Sequence, residues 1–299
     1  KQKTAYEIST RDWSSDVCCS DLVADLGLGD REGAFNSVFG EVLVHEVVRA
    51  AGVHGVDAAV FDQDVAVRPD NETAIEEEIR SVQPDRIVLL IGRTHGPGYS
   101  TIDYLEQKGK LVENVRDNLY SPVVLAFLGK KYNIHVTYLG TGCIFNSNEE
   151  KPTFSEEDVP NFFGSGYSTV KGFTDRIMRF FSDSVLTLRI RMPIVGYHNP
   201  RNFITKITNY AKVCSIQNSM TVLEDMIPVL VDLAKRKTTG IVNLTNPGTI
   251  EHNEILQMYK EYVDPNFTWN NFTLEEQSKV LLSERSNNEL DTAYLKQLV

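Results

Sequence analysis

The sequence has no apolar run approaching the roughly 18 to 20 residues that a membrane-crossing helix needs, and no secretory signal opens it. The expected setting is the cytoplasm, away from any membrane. A surplus of positive charge is also missing: 30 lysines and arginines stand against 41 aspartates and glutamates, a net charge of -11. A nucleic-acid backbone demands a basic face, so nucleic acid is excluded as the main partner. An anionic nucleotide is not excluded, because it needs only a few local arginines and helix N-termini. Cysteine is scarce, with four residues of which Cys18 and Cys19 are adjacent, a poor pattern for disulfides or zinc and a better one for free thiols in a reducing compartment. His95 has no second ligand at a metal-binding spacing, so no metal is expected. No internal repeat, low-complexity tract or long linker divides the chain, and 299 residues suffice for one two-part α/β unit with a large core.

Residues 1 to about 22 have neither a helical nor a strand period and resemble translated sequencing-adapter read-through; they stand outside the fold argument as an extension. Leu22–Leu26 then reads as a first strand and Val38–Ala51 as an apolar-rich helix closed by Gly52. Val56–Phe61 reads as a second strand, Glu72–Val82 as a charged amphipathic helix and Asp85–Ile91 as a buried parallel strand. A helix from about Lys110 to Lys131, a strand from Ile134 to Leu139, a helix from Tyr167 through Phe180 and a strand over Val185–Arg191 continue the alternation. That alternation predicts an α/β fold, a Rossmann-type doubly wound parallel sheet with a smaller C-terminal substrate domain. The dinucleotide-binding part spans 23–192 and receives a helix (Met220–Lys237) and a strand (Gly240–Leu244) from about 220–245. Residues 193–299, with helices at Thr205–Tyr210, Glu251–Tyr262 and Leu274–Leu282, mainly face the substrate.

Two stretches carry chemistry. Thr141 ends an apolar strand, and Tyr167 opens a helix with Lys171 one turn later on the same face. A hydroxyl at a strand end and a tyrosine whose phenolate is favoured by a lysine are what proton-coupled hydride transfer to a ketone requires. A second copy of the spacing, Tyr104 and Lys108, lacks a strand-end hydroxyl a comparable distance before it. Cys143 lies two residues after Thr141, so both side chains point into the same space. Gly92-Arg-Thr-His-Gly-Pro-Gly98, including Arg93, Thr94 and His95, follows a strand directly, at the carboxyl edge where open α/β sheets bind ligands. Met192, Pro193 and Ile194 end another strand, at the same carboxyl edge where a cofactor would lie in such a sheet.

Thr141, Tyr167 and Lys171 resemble the triad of extended short-chain dehydrogenases/reductases. Gly92 to Asp103, Gly140 to Phe145, Arg191 to Ile194, Asn199 to Lys206, Thr245 to Gly248 and His252 to Leu256 narrow the likeness to the nucleotide-rhamnose synthases, the bifunctional UDP-4-keto-6-deoxyglucose 3,5-epimerase/4-reductases. The likeness runs from about Arg68 to the C-terminus. It implies NADPH as cofactor, with NADH as the alternative, and a UDP-linked sugar as substrate, with a dTDP-linked one as the alternative; a homodimer is compatible with it. It further implies that Cys143 and Lys206 form the epimerase acid/base pair and that Asn114 supports the lysine through bound water. Arg68 would meet the 2′-phosphate of NADP, and Gly142, His95, Asn199, Arg201 and Asn202 would line the substrate.

One departure stands out. The family carries Gly-x-x-Gly-x-x-Gly between the first strand and helix, whereas Ala34-Phe-Asn-Ser37-Val-Phe-Gly40 keeps only the last glycine. Side chains at Ala34 and Ser37 would crowd the pyrophosphate, which predicts weakened NADPH affinity. Gly27, Gly29 and Gly33 have the wrong spacing. A simple NADP-dependent sugar reductase, with Cys143 and Lys206 structural, and a non-catalytic Rossmann binding subunit are the competing readings.

Overall fold

The computed structural model describes residues 68–299. The expected strands Leu22–Leu26 and Val56–Phe61, the helix Val38–Ala51, the loop with Ser37 and Gly40, and residues 1 to 22 all lie outside the described residues.

Helix α1 (Glu72–Val82) starts where the Asn71 side chain accepts a hydrogen bond from the Ala74 N–H, and stops where Gln83 turns left-handed before Pro84. Ile75 and Ile79, four apart, bury its apolar stripe. Strands β1 (Arg86–Leu89), β2 (His135–Thr141), β4 (Val185–Ile190) and β7 (Gly240–Asn243) form one parallel sheet in the order β1-β2-β4-β7. Their side chains alternate between faces. Val88, Leu139, Leu186, Leu188, Ile190 and Val242 pack on one side with helix α6 (Leu223–Lys235), whereas Ile87, Leu89, Val136, Tyr138 and Val185 pack on the other with α1 and α3 (Ser121–Tyr132). Helices on both faces make this sheet doubly wound, as expected from strands buried almost throughout.

The expected Lys110–Lys131 helix is interrupted. It runs as α2 (Leu111–Val115), a π-helical turn (Arg116–Tyr120) and α3. The extra residue lets the Thr174 hydroxyl of α4 (Gly166–Met178) donate to the Asn118 carbonyl at 2.6 Å. The expected helix over Met220–Lys237 is also shorter, because Thr221–Val222 forms β6, paired parallel with β5 (Pro193–Ile194). A second short pair joins β3 (Thr153–Phe154) to β8 (Glu289–Leu290). Strands of two residues carry no period for sequence to show.

Beyond β5, α5 (Phe203–Thr208), α7 (His252–Tyr262) and α8 (Leu274–Ser278) surround a separate cluster of Met192, Phe203, Ile207, Val213, Met220, Ile255 and Leu256. The short α9 (Leu295–Leu298) returns Leu295 to the sheet-side core. No helix among the described residues is long and apolar enough to cross a membrane.

Candidate active site

Among the described residues, the expected functional residues gather at the carboxyl ends of β1, β2 and β4 and on the two helices facing them. After β1 the chain is fixed by Asn118, whose side chain accepts from the Arg93 N–H at 2.9 Å and donates to the Arg93 carbonyl at 2.8 Å. The Arg93 guanidinium pairs with Asp117. Arg68 and Arg116 reach the same carboxylate at 3.3 and 2.7 Å. Burial would raise the Asp117 carboxyl, but hydrogen bonds from Arg116 and Arg93 hold it below the usual carboxylate range. Next comes the turn Gly96–Tyr99, with Pro97 at its second position and Gly98 at φ 84° at its third, the geometry only glycine takes readily. A Cβ on Gly96 would lie 2.2 Å from the Tyr104 ring, so that position must be glycine as well.

After β2, the Thr141 hydroxyl oxygen accepts from the Cys143 N–H at 3.0 Å, so both residues sit on one tight turn. Both are buried, and Cys143 and Tyr167 belong to the same core cluster. A Cβ on Gly142 would lie 2.7 Å from Leu290 of β8. The turn is gripped from outside by the C-terminal segment: Asn288 donates to the carbonyls of Gly142 (2.9 Å) and Phe145 (2.8 Å), and Ser286 donates to that of Phe145 (2.7 Å).

Helix α4 begins with Ser165, whose hydroxyl accepts from the Ser168 N–H at 3.0 Å, and with Gly166, whose N–H donates to Glu106 at 2.6 Å. Burial raises the Glu106 carboxyl, against the lowering influence of that N–H. Lys171, buried beneath Tyr167, donates to the Tyr138 hydroxyl and lies 4.6 Å from its ring centroid. Asn114 is wholly buried beside Gly166; its Oδ1 accepts from Asn118 at 2.9 Å, while its Nδ2 meets no acceptor among the described residues. A buried amide donor left open at the Tyr–Lys helix fits a site that admits water and a cofactor beside the lysine.

Met192 takes a left-handed φ of 40° before Pro193, a conformation costing a non-glycine residue on the order of 1–3 kcal/mol, and sends its side chain into the C-terminal cluster. The strand-end backbone thereby turns sharply at the sheet edge. On α5, Lys206 Nζ donates to the Ser100 carbonyl at 3.2 Å, and Arg201 lies against His95 at 2.8 Å. Asn199 accepts from the Arg201 N–H at 2.8 Å. Asn202 commits its amide to the main chain, accepting from Ile204 and donating to the carbonyls of Val195 and Tyr197. It positions Arg201 and Lys206 as the cap of α5.

Sequence reasoning assigned nothing to Tyr138, to Arg191 or to the segment 285–290. Two arginines in an otherwise apolar strand, Arg189 and Arg191, were the signal that could have flagged the second. The first and third carry no pattern of their own.

A parallel doubly wound sheet with a strand-end threonine and a Tyr–Lys pair on the facing helix defines an extended short-chain dehydrogenase/reductase. No family model matches the sequence. The curated mimivirus protein L780 is 60% identical over 235 residues, covering 77% of this chain and 81% of that one. The crystal structure of the L780 UDP-rhamnose synthase from Acanthamoeba polyphaga mimivirus matches with a TM-score of 0.76 at 58% identity, covering 78% of this chain and 83% of that one. A bifunctional dTDP-4-dehydrorhamnose 3,5-epimerase/reductase of Arabidopsis thaliana is 44% identical over 235 residues, 77% of this chain and 76% of its own. The chain belongs to the nucleotide-rhamnose synthase family of bifunctional epimerase/reductases. The fold alone extends further: a Bacillus anthracis dTDP-4-dehydrorhamnose reductase in complex with NADP gives a TM-score of 0.64 at 14% identity over 77% of this chain and 79% of that one.

Proposed function

We propose that the protein epimerises UDP-4-keto-6-deoxyglucose at C3 and C5 and then reduces C4, yielding UDP-β-L-rhamnose. The observation that carries this reading is the single turn holding Thr141 and Cys143, facing the helix that carries Tyr167 and Lys171. Reduction and proton-transfer groups thus share one strand end. In this division of labour residues 23–192, with the helix and strand from about 220–245, would hold NADPH and those from 193 onward would mainly hold the sugar nucleotide.

The C4 ketone acidifies the neighbouring C–H bonds. Cys143 removes the proton, the electron pair moves to the C4 oxygen, and the hydroxyls of Thr141 and Tyr167 stabilise the enolate. Lys206 returns a proton from the opposite face. In the second half-reaction Tyr167 donates its proton to the C4 oxygen, while the Lys171 ammonium stabilises the phenolate left behind. Arg68, Arg93, Thr94, Asn114, Lys171 and Ile194 would hold NADPH, which would supply the hydride for C4. His95 and Arg201 offer donors to the nucleotide-linked sugar.

Incubation of the protein with the keto sugar and NADPH in deuterated water separates the two activities. Tyr167→Phe should lower NADPH oxidation about 10²- to 10⁴-fold with the fold intact, and wild-type turnover would sink the triad. Cys143→Ser should lose deuterium uptake yet still reduce a sugar already epimerised. Exchange at the parent rate would leave a simple reductase.

A further inference from the structure

Arg191 is fully buried, and all of its partners among the described residues are neutral groups or sulfur. Nη1 donates to Cys143 Sγ at 3.4 Å and to Ser286 Oγ at 3.0 Å, and Nη2 donates to Asn218 Oδ1 and to the Ser286 carbonyl. No carboxylate is among them. Buried guanidinium groups are paired with anions, because the cost of desolvating an unpaired charge is large. His252 of α7 also feels this arginine, but burial drives its pKa down to about 4 and it is therefore neutral. Among the described residues in contact with Arg191, that leaves the sulfur as the one group able to carry the balancing charge.

We infer that Cys143 rests as a thiolate whose counter-ion is the Arg191 guanidinium, and that Arg191 is the positioning residue that readies the epimerase base. The inference rests on the proposed role of Cys143. Both partners are fixed by the same segment: Ser286 and Asn288 grip the turn after Thr141, Ser286 also accepts from Arg191, and Asn218 bridges Arg191 to the Asn288 N–H at 3.0 Å. The Arg191 backbone is held by the Thr221 hydroxyl at 3.0 Å. The ion pair is thus assembled before substrate arrives. In the exchange step the thiolate takes the C–H proton and becomes a thiol, the carbon's electron pair moves to the C4 oxygen as an enolate, and the Lys206 ammonium delivers a proton to the carbon from the other side. The thiol then returns its proton to solvent and the amine regains one, so no oxidant or reductant is consumed.

The thiolate can be read directly, without reagent access to a buried sulfur, from its ultraviolet absorbance. Titration of the parent minus Cys143→Ser should show a thiolate at neutral pH, where an ordinary cysteine of pKa about 8.5 is almost wholly protonated. In Arg191→Gln the transition should move back toward that ordinary value. Deuterium uptake at neutral pH should then fall about tenfold and recover as the pH is raised, while Arg191→Lys should keep most of the signal. A parent whose Cys143 is protonated at neutral pH overturns the inference, as does an Arg191→Gln profile superimposable on the parent's. If Arg191→Gln fails to fold, the difference titration of the parent decides alone. Should Cys143→Ser exchange deuterium at the parent rate, the base assignment and Arg191's part in catalysis fall together, even with the ion pair present.

Discussion

Arg189 and Arg191 are two residues apart on one run of chain, point to the same side and are equally inaccessible to water, yet their surroundings differ in kind. Arg189 meets Asp175 with two parallel bonds of 2.8 and 2.9 Å, adds the carbonyls of Ser155 and Asp158, and lies 4.9 Å from the Phe145 ring centroid. Arg191 has no such fork and meets the Cys143 sulfur instead. The first arrangement is a closed structural clasp between β4 and α4, with every charge satisfied inside the scaffold. The second leaves a positive charge whose compensation lies at a reacting atom. Buried charge that is fully paired reads as architecture, whereas buried charge paired through a nucleophilic or basic atom reads as chemistry.

The most damaging way to break this contrast is to remove the carboxylate from the clasp. Asp175→Asn leaves Arg189 fully buried without an anion and should cost about 3–5 kcal/mol of stability, read as a lowered denaturant midpoint at unchanged slope. Were the loss below about 1 kcal/mol, a buried guanidinium at this strand would need no counter-ion. The case for a thiolate beside Arg191 would weaken with it.

A smaller effect sharpens the other side of the comparison. His252 packs edge-on against Phe203 and accepts from the Ile216 N–H at 3.4 Å, and its pKa is pushed down to about 4, chiefly by burial, with Arg191 adding to it. A folded-state value below the unfolded one means that the unfolded chain binds the proton more readily. The stabilisation is therefore complete above the unfolded value of about 6.5 and is lost as the pH falls through about 4, by roughly 3 kcal/mol at the acid end. Stability measured against pH should steepen over that window in the parent and flatten in His252→Gln. An unchanged slope in the variant would mean that His252 takes up its proton as readily in the folded chain as in the unfolded one, so that below about pH 6.5 a second positive charge would sit beside Arg191.

The fold was legible because its sheet is built from runs such as Val185 to Arg191, whose length and β-branched content are incompatible with a helix, separated by helices with clear stripes. The placement of Thr141 at a strand end and of Tyr167 and Lys171 one turn apart on a helix was legible for a related reason: an apolar run and a helical period mark those two elements. The clamp from Ser286 and Asn288 was not, since its contacts join residues more than 140 positions apart through side-chain amides and hydroxyls that carry no period. The π-helical turn escaped because one inserted residue changes hydrogen bonding without changing composition. The role of Ser37 and Gly40 rests on residues outside those described. The proposed part of Arg68 at a phosphate is compatible with its present bonds to Asp70 and the buried Asp117, because the Arg68 side chain is itself partly open to solvent.

The smallest expected effect isolates the clasp from its neighbourhood. Arg179 also approaches Asp175, at 3.9 Å, but from a partly exposed position, and its better bonds run to the carbonyls of Glu156 and Asp158 at 2.8 and 2.7 Å. Water screens such a pair, so Arg179→Gln should cost no more than about 1 kcal/mol. Combined with Asp175→Asn, the two losses should add to within roughly 0.5 kcal/mol, because the carboxylate does its main work for Arg189. A coupling energy of several kcal/mol would assign the counter-charge to both arginines jointly. Asp175 would then be a shared acid in a network, and Arg189 would have only a partial claim on it. The distinction from Arg191 would be one of degree, and thiolate character at Cys143 would have to be argued from its titration alone.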